Sequence, residues 1–208
     1  MRKEQIFAGL AQVPGVGYKC QPGIDRQALP RVNAKPRIST YDFDGKPRTS
    51  VSWDLPGGVT TSQSPASAWA TSGAENDPWP VAVRRLCEAL ELPGSASDYH
   101  FALLRTTEVL WGRRREDPEV LPELERLCLL DIMLLEARPE IARGETGDGQ
   151  SYGLYVPAFG YLVRLYEQEG LIEDALDIAR RGTALGQGPA EVERLEARLR
   201  DMEAEHAS

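Results

Sequence analysis

The side chains able to do covalent or proton-transfer chemistry in this chain are His100, the thiols of Cys20, Cys87 and Cys128, and a few carboxylates in unusual surroundings. Nucleophilic catalysis needs a base within reach of a Ser or Cys. His100 falls in Ser97-Asp98-Tyr99-His100, near the start of an expected helix, and no spacing pattern brings a nucleophile to it. The three cysteines are odd in number and far apart, so they read as buried free thiols of a reducing compartment. Structural zinc asks for about four ligands, usually in short-spaced pairs, and His100 and His206 are the two histidines. No phosphate-cradling glycine loop of the P-loop or dinucleotide type is present. Glu145, Asp148 and Gly149 hint at a cation loop, but calcium needs oxygen ligands at alternate positions, which the stretch lacks. The expectation is a chain that is not an enzyme and holds no metal and no cofactor.

Charge is the stronger signal. The formal net charge of −8 hides an asymmetry. Residues 1–50 hold nine Lys or Arg and four acids, a net of +5, whereas residues 51–208 hold fifteen Arg, no Lys and twenty-eight acids, a net of −13. A basic arm on an acidic chain suits an anionic partner. Lys19, Arg26, Arg31, Lys35, Arg37, Lys46 and Arg48 are the candidate phosphate contacts. The acidic half of the same chain is the competing partner. Arg113-Arg114-Arg115 falls at a helix C-terminus, where the helix dipole favours cations, so a structural role is sufficient there.

The elements that must position these residues divide into three stretches. Residues 1–55 form a basic N-terminal segment with a short helix over 3–12, ended by Pro14 and Gly15, and a β-hairpin. The hairpin pairs Arg37–Phe43 with Arg48–Asp54 across Asp44-Gly45, whose positions tolerate positive φ. Two strands alone are marginal in water, so they must pack on helices or gain a third strand. Residues 56–76, rich in Pro, Gly, Ser and Thr, read as a linker. Trp69 within it either docks on a partner or tacks the linker to the chain's own helices. Residues 77–208 form an acidic helical domain.

In that domain Asp77-Pro78 launches a helix to about Leu92, Ser97 or Asp98 caps the next to about Arg115, and Asp117-Pro118 opens a third to Ala137. The third is apolar on nearly every side through Leu127–Leu135, which predicts a central helix. Asp131 interrupts that wall and needs a partner such as Arg105, Arg126 or backbone groups. That run is too short to cross a bilayer, which takes about 20 residues, and the apolar stretch after Arg2 and Lys3 is too broken for a signal peptide. A soluble, cytoplasmic protein with no membrane contact is expected.

From Val156 the sequence carries Phe159, Leu162 and Tyr166, then Gly170, then Ala175 and Gly182. This pattern resembles a tetratricopeptide repeat (TPR), a helix–turn–helix unit of about 34 residues, over roughly residues 156–189. Small residues at 175 and 182 let two helices approach, and Gly170 suits a left-handed cap. Val163 and Ala179 depart from the usual pattern. Val192, Leu195, Leu199 and Met202 then mark an amphipathic helix over 189–205 that seals the last apolar face, a coiled-coil seam being the alternative. Val13–Lys19 is similar to the turn of a helix–hairpin–helix element, but Pro22-Gly23 would break its second helix.

The fold class expected is mainly α, with stacked antiparallel TPR-like hairpins and a small N-terminal β-hairpin-containing segment. The function expected is a non-enzymatic interaction module or adaptor that binds a protein or peptide in a helical groove. The resemblance implies that the first helix of a hairpin lines that groove, with Arg164, Glu167 and Gln168 facing the partner; Trp69, read from its own aromatic character, is a further candidate partner contact. The alternative is nucleic-acid binding through residues 1–50, with the helical domain serving dimerisation or regulation as a homo-oligomer.

Overall fold

The computed structural model describes residues 9–43, 45–73, 77–145 and 151–206. The fold is mainly helical, with a small antiparallel sheet near the N-terminus, as the sequence predicts. The chain divides into two compact units, residues 1–106 and 107–208.

In the first unit, β1 (Lys35–Phe43) and β2 (Lys46–Asp54) pair antiparallel from Lys35↔Asp54 to Phe43↔Lys46. The hairpin is longer than the sequence predicts. Gly45 takes φ 73°, the left-handed geometry its turn requires, while Asp44 lies outside the described residues. A third strand, β3 (Thr60–Thr61), pairs with β2 at Trp53 and Asp54. The need for a third partner is thus met at the base of the ribbon alone. There Trp53 and Ala34 are buried, with Ile38, Val51 and Leu55 packed against them.

The stretch read from composition as a linker carries β3 and a short helix, α1 (Pro65–Ala70). Ser64 caps α1 by accepting from the Ser67 amide, and Pro65 follows at the first helical position. This start signal sits inside a run of turn-forming residues, so composition alone conceals it. α2 (Trp79–Glu91) packs against α1. Asp77 does not cap α2; its carboxylate pairs with Arg85 at 2.6 Å. α3 (Ala96–Arg113) is capped by Ser95 rather than Ser97 or Asp98. Asp98 Oδ2 accepts from the Ser95 amide and hydroxyl, and the Asp98 amide donates back to Ser95 Oγ, a reciprocal capping box.

Residues 3–8 of the expected N-terminal helix lie outside the described residues, and Leu10–Gln12 form one 3-10 turn. The following irregular stretch is tied to α2 by Glu91, which is 2% exposed. Its carboxylate accepts from the Tyr18 hydroxyl at 3.0 Å and the Gln21 amide at 3.2 Å, while Arg26 Nε donates to its carbonyl. Cys20, expected to be buried, is exposed, and the Glu91 carboxylate raises its pKa chiefly through a hydrogen bond. Cys87 and Cys128 are buried free thiols, as expected.

In the second unit, α4 (Leu121–Ala137) follows a 3-10 turn at Pro118–Val120 whose first amides Asp117 caps. Leu124, Leu127, Ile132, Leu134 and Leu135 are fully buried, so α4 is the apolar helix of this unit. Asp131 is 1% exposed and is not without a partner. The connection expected to be a loop contains a short ladder, β4 (Arg143–Glu145) with β5 (Ser151–Gly153); Asp148 and Gly149 lie outside the described residues. Three helices complete the stack: α5 (Pro157–Gln168), α6 (Ile172–Ala184) and α7 (Ala190–His206). α4 packs on α5, α5 on α6 and α6 on α7. At Gly170, φ 78°, the Leu171 amide returns to the Tyr166 carbonyl and the Gly170 amide to Glu167. Gly186, φ 83°, repeats this closure with Gln187 to Gly182 and Gly186 to Thr183. No described helix is long and apolar enough to cross a membrane.

Glu91→Ala leaves the Tyr18 hydroxyl and Gln21 amide without their acceptor and is expected to lower stability by about 1–3 kcal/mol in urea unfolding. The same change lowers the Cys20 pKa, so its reaction with a disulfide reagent at mildly alkaline pH should accelerate. A wild-type unfolding midpoint with an unaltered thiol rate would contradict both the knot and its hold on Cys20.

Candidate functional site

The principal cavity of the second unit is an open cleft of about 530 Å³ bounded by α5, α6 and α7. Its floor is apolar: Phe159, Val163 and Ala179 are buried, and Gly182 lies beneath them. Arg164, Glu167, Glu191 and Arg194 form a charged rim, and Tyr155, 76% exposed, stands at the entrance. Gln187 closes one end, accepting from the Val156 amide at 3.0 Å and donating to the Leu154 carbonyl at 2.8 Å. The Gly186 turn is what brings Gln187 back over the start of α5.

The rim charges are unequally satisfied. Arg194 makes a bidentate pair with Glu167, both contacts at 2.6 Å, and also pairs with Glu191. Arg198 adds a third donor to Glu167 at 3.0 Å. The hydrogen bond from Arg194 holds the Glu167 carboxyl below the usual carboxylate range against the opposing effect of burial, with Arg198 assisting. Glu167 is therefore a clamp that fixes α7 to α5. Arg164, one turn earlier on α5, is exposed and has no acid partner among the described residues.

Behind Arg164 lies an aromatic pair. Tyr161 stacks on Trp111 with ring centroids 4.3 Å apart, and the Arg114 guanidinium covers the other region of Trp111 at 3.6 Å from the ring centre. Burial lowers the Arg114 pKa, and the neighbouring Arg115 and Arg164 cations lower it further.

Of the residues singled out in the sequence, Arg164 and Glu167 meet at the cleft. Gln168 is exposed and does not line it. Trp69 lies in the first unit, on α1, where its indole Nε1 donates to Glu88 at 3.0 Å, so it serves its own helix pair. Phe159 belongs to the repeat pattern in the sequence and was not a candidate site residue there, whereas Tyr155, Gln187 and Arg194 escaped sequence reasoning. The spacing of Arg194 and Arg198, i and i+4 on one helix face, was the available signal.

The N-terminal cations are dispersed. Arg26 is engaged with the Glu91 carbonyl, and Lys19 and Arg31 are exposed, Arg31 with φ 59°. Lys35, Arg37 and Arg48 stand on the ribbon, Arg37 paired with Asp54 at 3.1 Å; position 46 lies in β2. His100 is buried, with its ring against Phe101. Among the described residues no cluster of His, Cys, Asp or Glu has the arrangement to hold a metal ion.

Fold and site together define a helical stack with an open, apolar-floored and charge-rimmed cleft. Compared with known family models, curated proteins and solved structures, the chain matches none.

The clamp makes a pH prediction. Because Glu167 titrates lower in the folded protein than the ordinary value of about 4.3, its contribution is complete above that value and is lost as pH falls through the folded pKa. Amide exchange of α7 should therefore accelerate in that acidic window, and Glu167→Gln should show fast exchange at neutral pH, at a cost of about 1 kcal/mol. Equal α7 protection in the variant and the wild type would remove the clamp.

Proposed function

We propose that this protein is a non-enzymatic interaction module that binds a segment of another protein in the α5–α7 cleft. In this reading α5 and α6 are one TPR-like hairpin, and α7 stands where the next repeat would begin. The observation that carries it is a solvent-open apolar floor beside Arg164, an exposed guanidinium with no acid partner. Stacked helical hairpins present such concave surfaces to peptides, and α5, the first helix of the hairpin, faces this cleft. The close approach of α5 and α6 at Gly182 and the full burial of Ala175 also support the repeat-like reading. Among the described lining residues there is no His, Cys, Ser or Thr, which suits recognition better than group transfer.

A partner would set an apolar side chain against Phe159 and Val163 and a carboxylate against Arg164 through charge-assisted hydrogen bonds. Arg164→Ala should leave unfolding within about 0.5 kcal/mol of wild type. It should weaken capture of the partner by about tenfold or more, as loss of a hydrogen bond to a charged group does. The measurement is quantitative affinity capture with the full chain, nuclease-treated and untreated, followed by titration of the retained protein. Equal retention by Arg164→Ala and by Arg164→Glu would exclude the cleft as the binding site.

A further inference from the structure

The β1–β2 ribbon carries its charge on one side. Strand alternation and the observed register place Lys35, Arg37, Tyr41 and Phe43 of β1 on the same face as Arg48 and Asp54 of β2. The opposite face carries Ile38, Val51 and Trp53, which belong to the buried base of the sheet. Asp54, the one acid on the outer face, is already paired with Arg37 and accepts from the Thr60 hydroxyl. Lys35 and Arg48 are exposed and have no acid partner among the described residues, and the register sets position 46, a lysine, opposite Phe43. Tyr41 and Phe43 are 51% and 59% exposed.

We infer that this outer face of the ribbon binds single-stranded nucleic acid, with Lys35, Arg37 and Arg48 against the phosphates and Tyr41 and Phe43 under the bases. Cations supply affinity without sequence preference, and every base offers a π-face to an exposed ring. Tyr41 and Phe43 lie two residues apart on one strand, roughly 6.8 Å, so each can receive one base of an unstacked strand. Duplex bases are stacked on each other and leave the rings without a face to meet, although a two-stranded ribbon does fit a major groove. An acidic peptide would satisfy the cations but leave both rings in water.

The test uses the full chain and fluorescently labelled oligo(dT), oligo(rU) and a duplex of equal length, titrated by anisotropy across a salt series. Single strands should bind more tightly than the duplex, with a log–log salt slope of about −2 to −3 for three to four phosphates. The two homopolymers distinguish DNA from RNA as the source. Arg48→Ser should flatten the slope by about 0.7. Tyr41→Ala with Phe43→Ala should weaken binding at least about fivefold with the slope retained. Both changes are at exposed positions, so the thermal midpoint should stay at the wild-type value. Absence of binding at low salt, tighter binding to the duplex, or competition by polyglutamate with no effect of the aromatic changes would each overturn the assignment. Arg164→Ala should bind oligonucleotide as wild type does, which separates this surface from the cleft.

Discussion

Gly182 has no side chain where the ring of Phe159 lies, and the geometry of the C-terminal stack depends on that vacancy. A Cβ there would stand 3.1 Å from Phe159 Cδ1 and 3.2 Å from Cγ, tighter than ordinary packing allows. α5 and α6 can therefore approach until Phe159 becomes the cleft floor rather than a spacer between helices. The turn after α6 is closed by Gly186, φ 83°, which returns the Gln187 amide to the Gly182 carbonyl. The Gln187 side-chain amide then satisfies Val156 and Leu154 at the start of α5. The bare Gly182 and the Gly186 turn thus act together at this end of the cleft.

α7 is held by different physics. Leu195 is its one fully buried residue, Val192 and Leu199 are half-buried, and Met202 is 36% exposed. Apolar burial on that scale anchors a helix weakly. Polar contacts supplement it: Arg194 and Arg198 with Glu167, and Arg180 with Glu196 at 2.8 Å. Arg181 similarly joins α6 to Glu136 of α4 through two contacts. The absence of Lys after residue 50 fits this scheme, because the planar guanidinium fork matches a carboxylate with two hydrogen bonds whereas an ammonium offers a point charge. Within such a set Arg164 is conspicuous, since Glu167, the acid of its own helix, is committed to Arg194 and Arg198.

Features governed by local rules were legible in the sequence. The Asp44-Gly45 hairpin signal, the Asp117-Pro118 start of the 3-10 turn that leads into α4, the Gly170 closure and the bounds of α5, α6 and α7 follow from turn chemistry and 3.6-residue periodicity. Composition misled over residues 56–76, where the Ser64-Pro65 start of α1 is submerged among other turn formers. What could not be read were pairings across long separations. Glu91 meets Tyr18 across 73 positions and Arg194 meets Glu167 across 27, and no local pattern distinguishes those acids from solvated ones. The candidate site was legible in its α5 residues and hidden in those contributed by the α6–α7 turn.

Two surfaces remain where folding has left charge and aromatic area exposed, and they are built differently. At the cleft, Arg164 and Tyr155 border a concavity with an apolar floor. On the ribbon, Lys35, Arg48, Tyr41 and Phe43 share one exposed face of a two-stranded pairing. Concave apolar sites gain affinity by removing a partner's surface from water, whereas a flat cationic face must rely on stacking and counterion release. The net of −13 over residues 51–208 disfavours a polyanion there, whereas residues 1–50 carry a net of +5. Occupation of one surface draws on none of the contacts that serve the other.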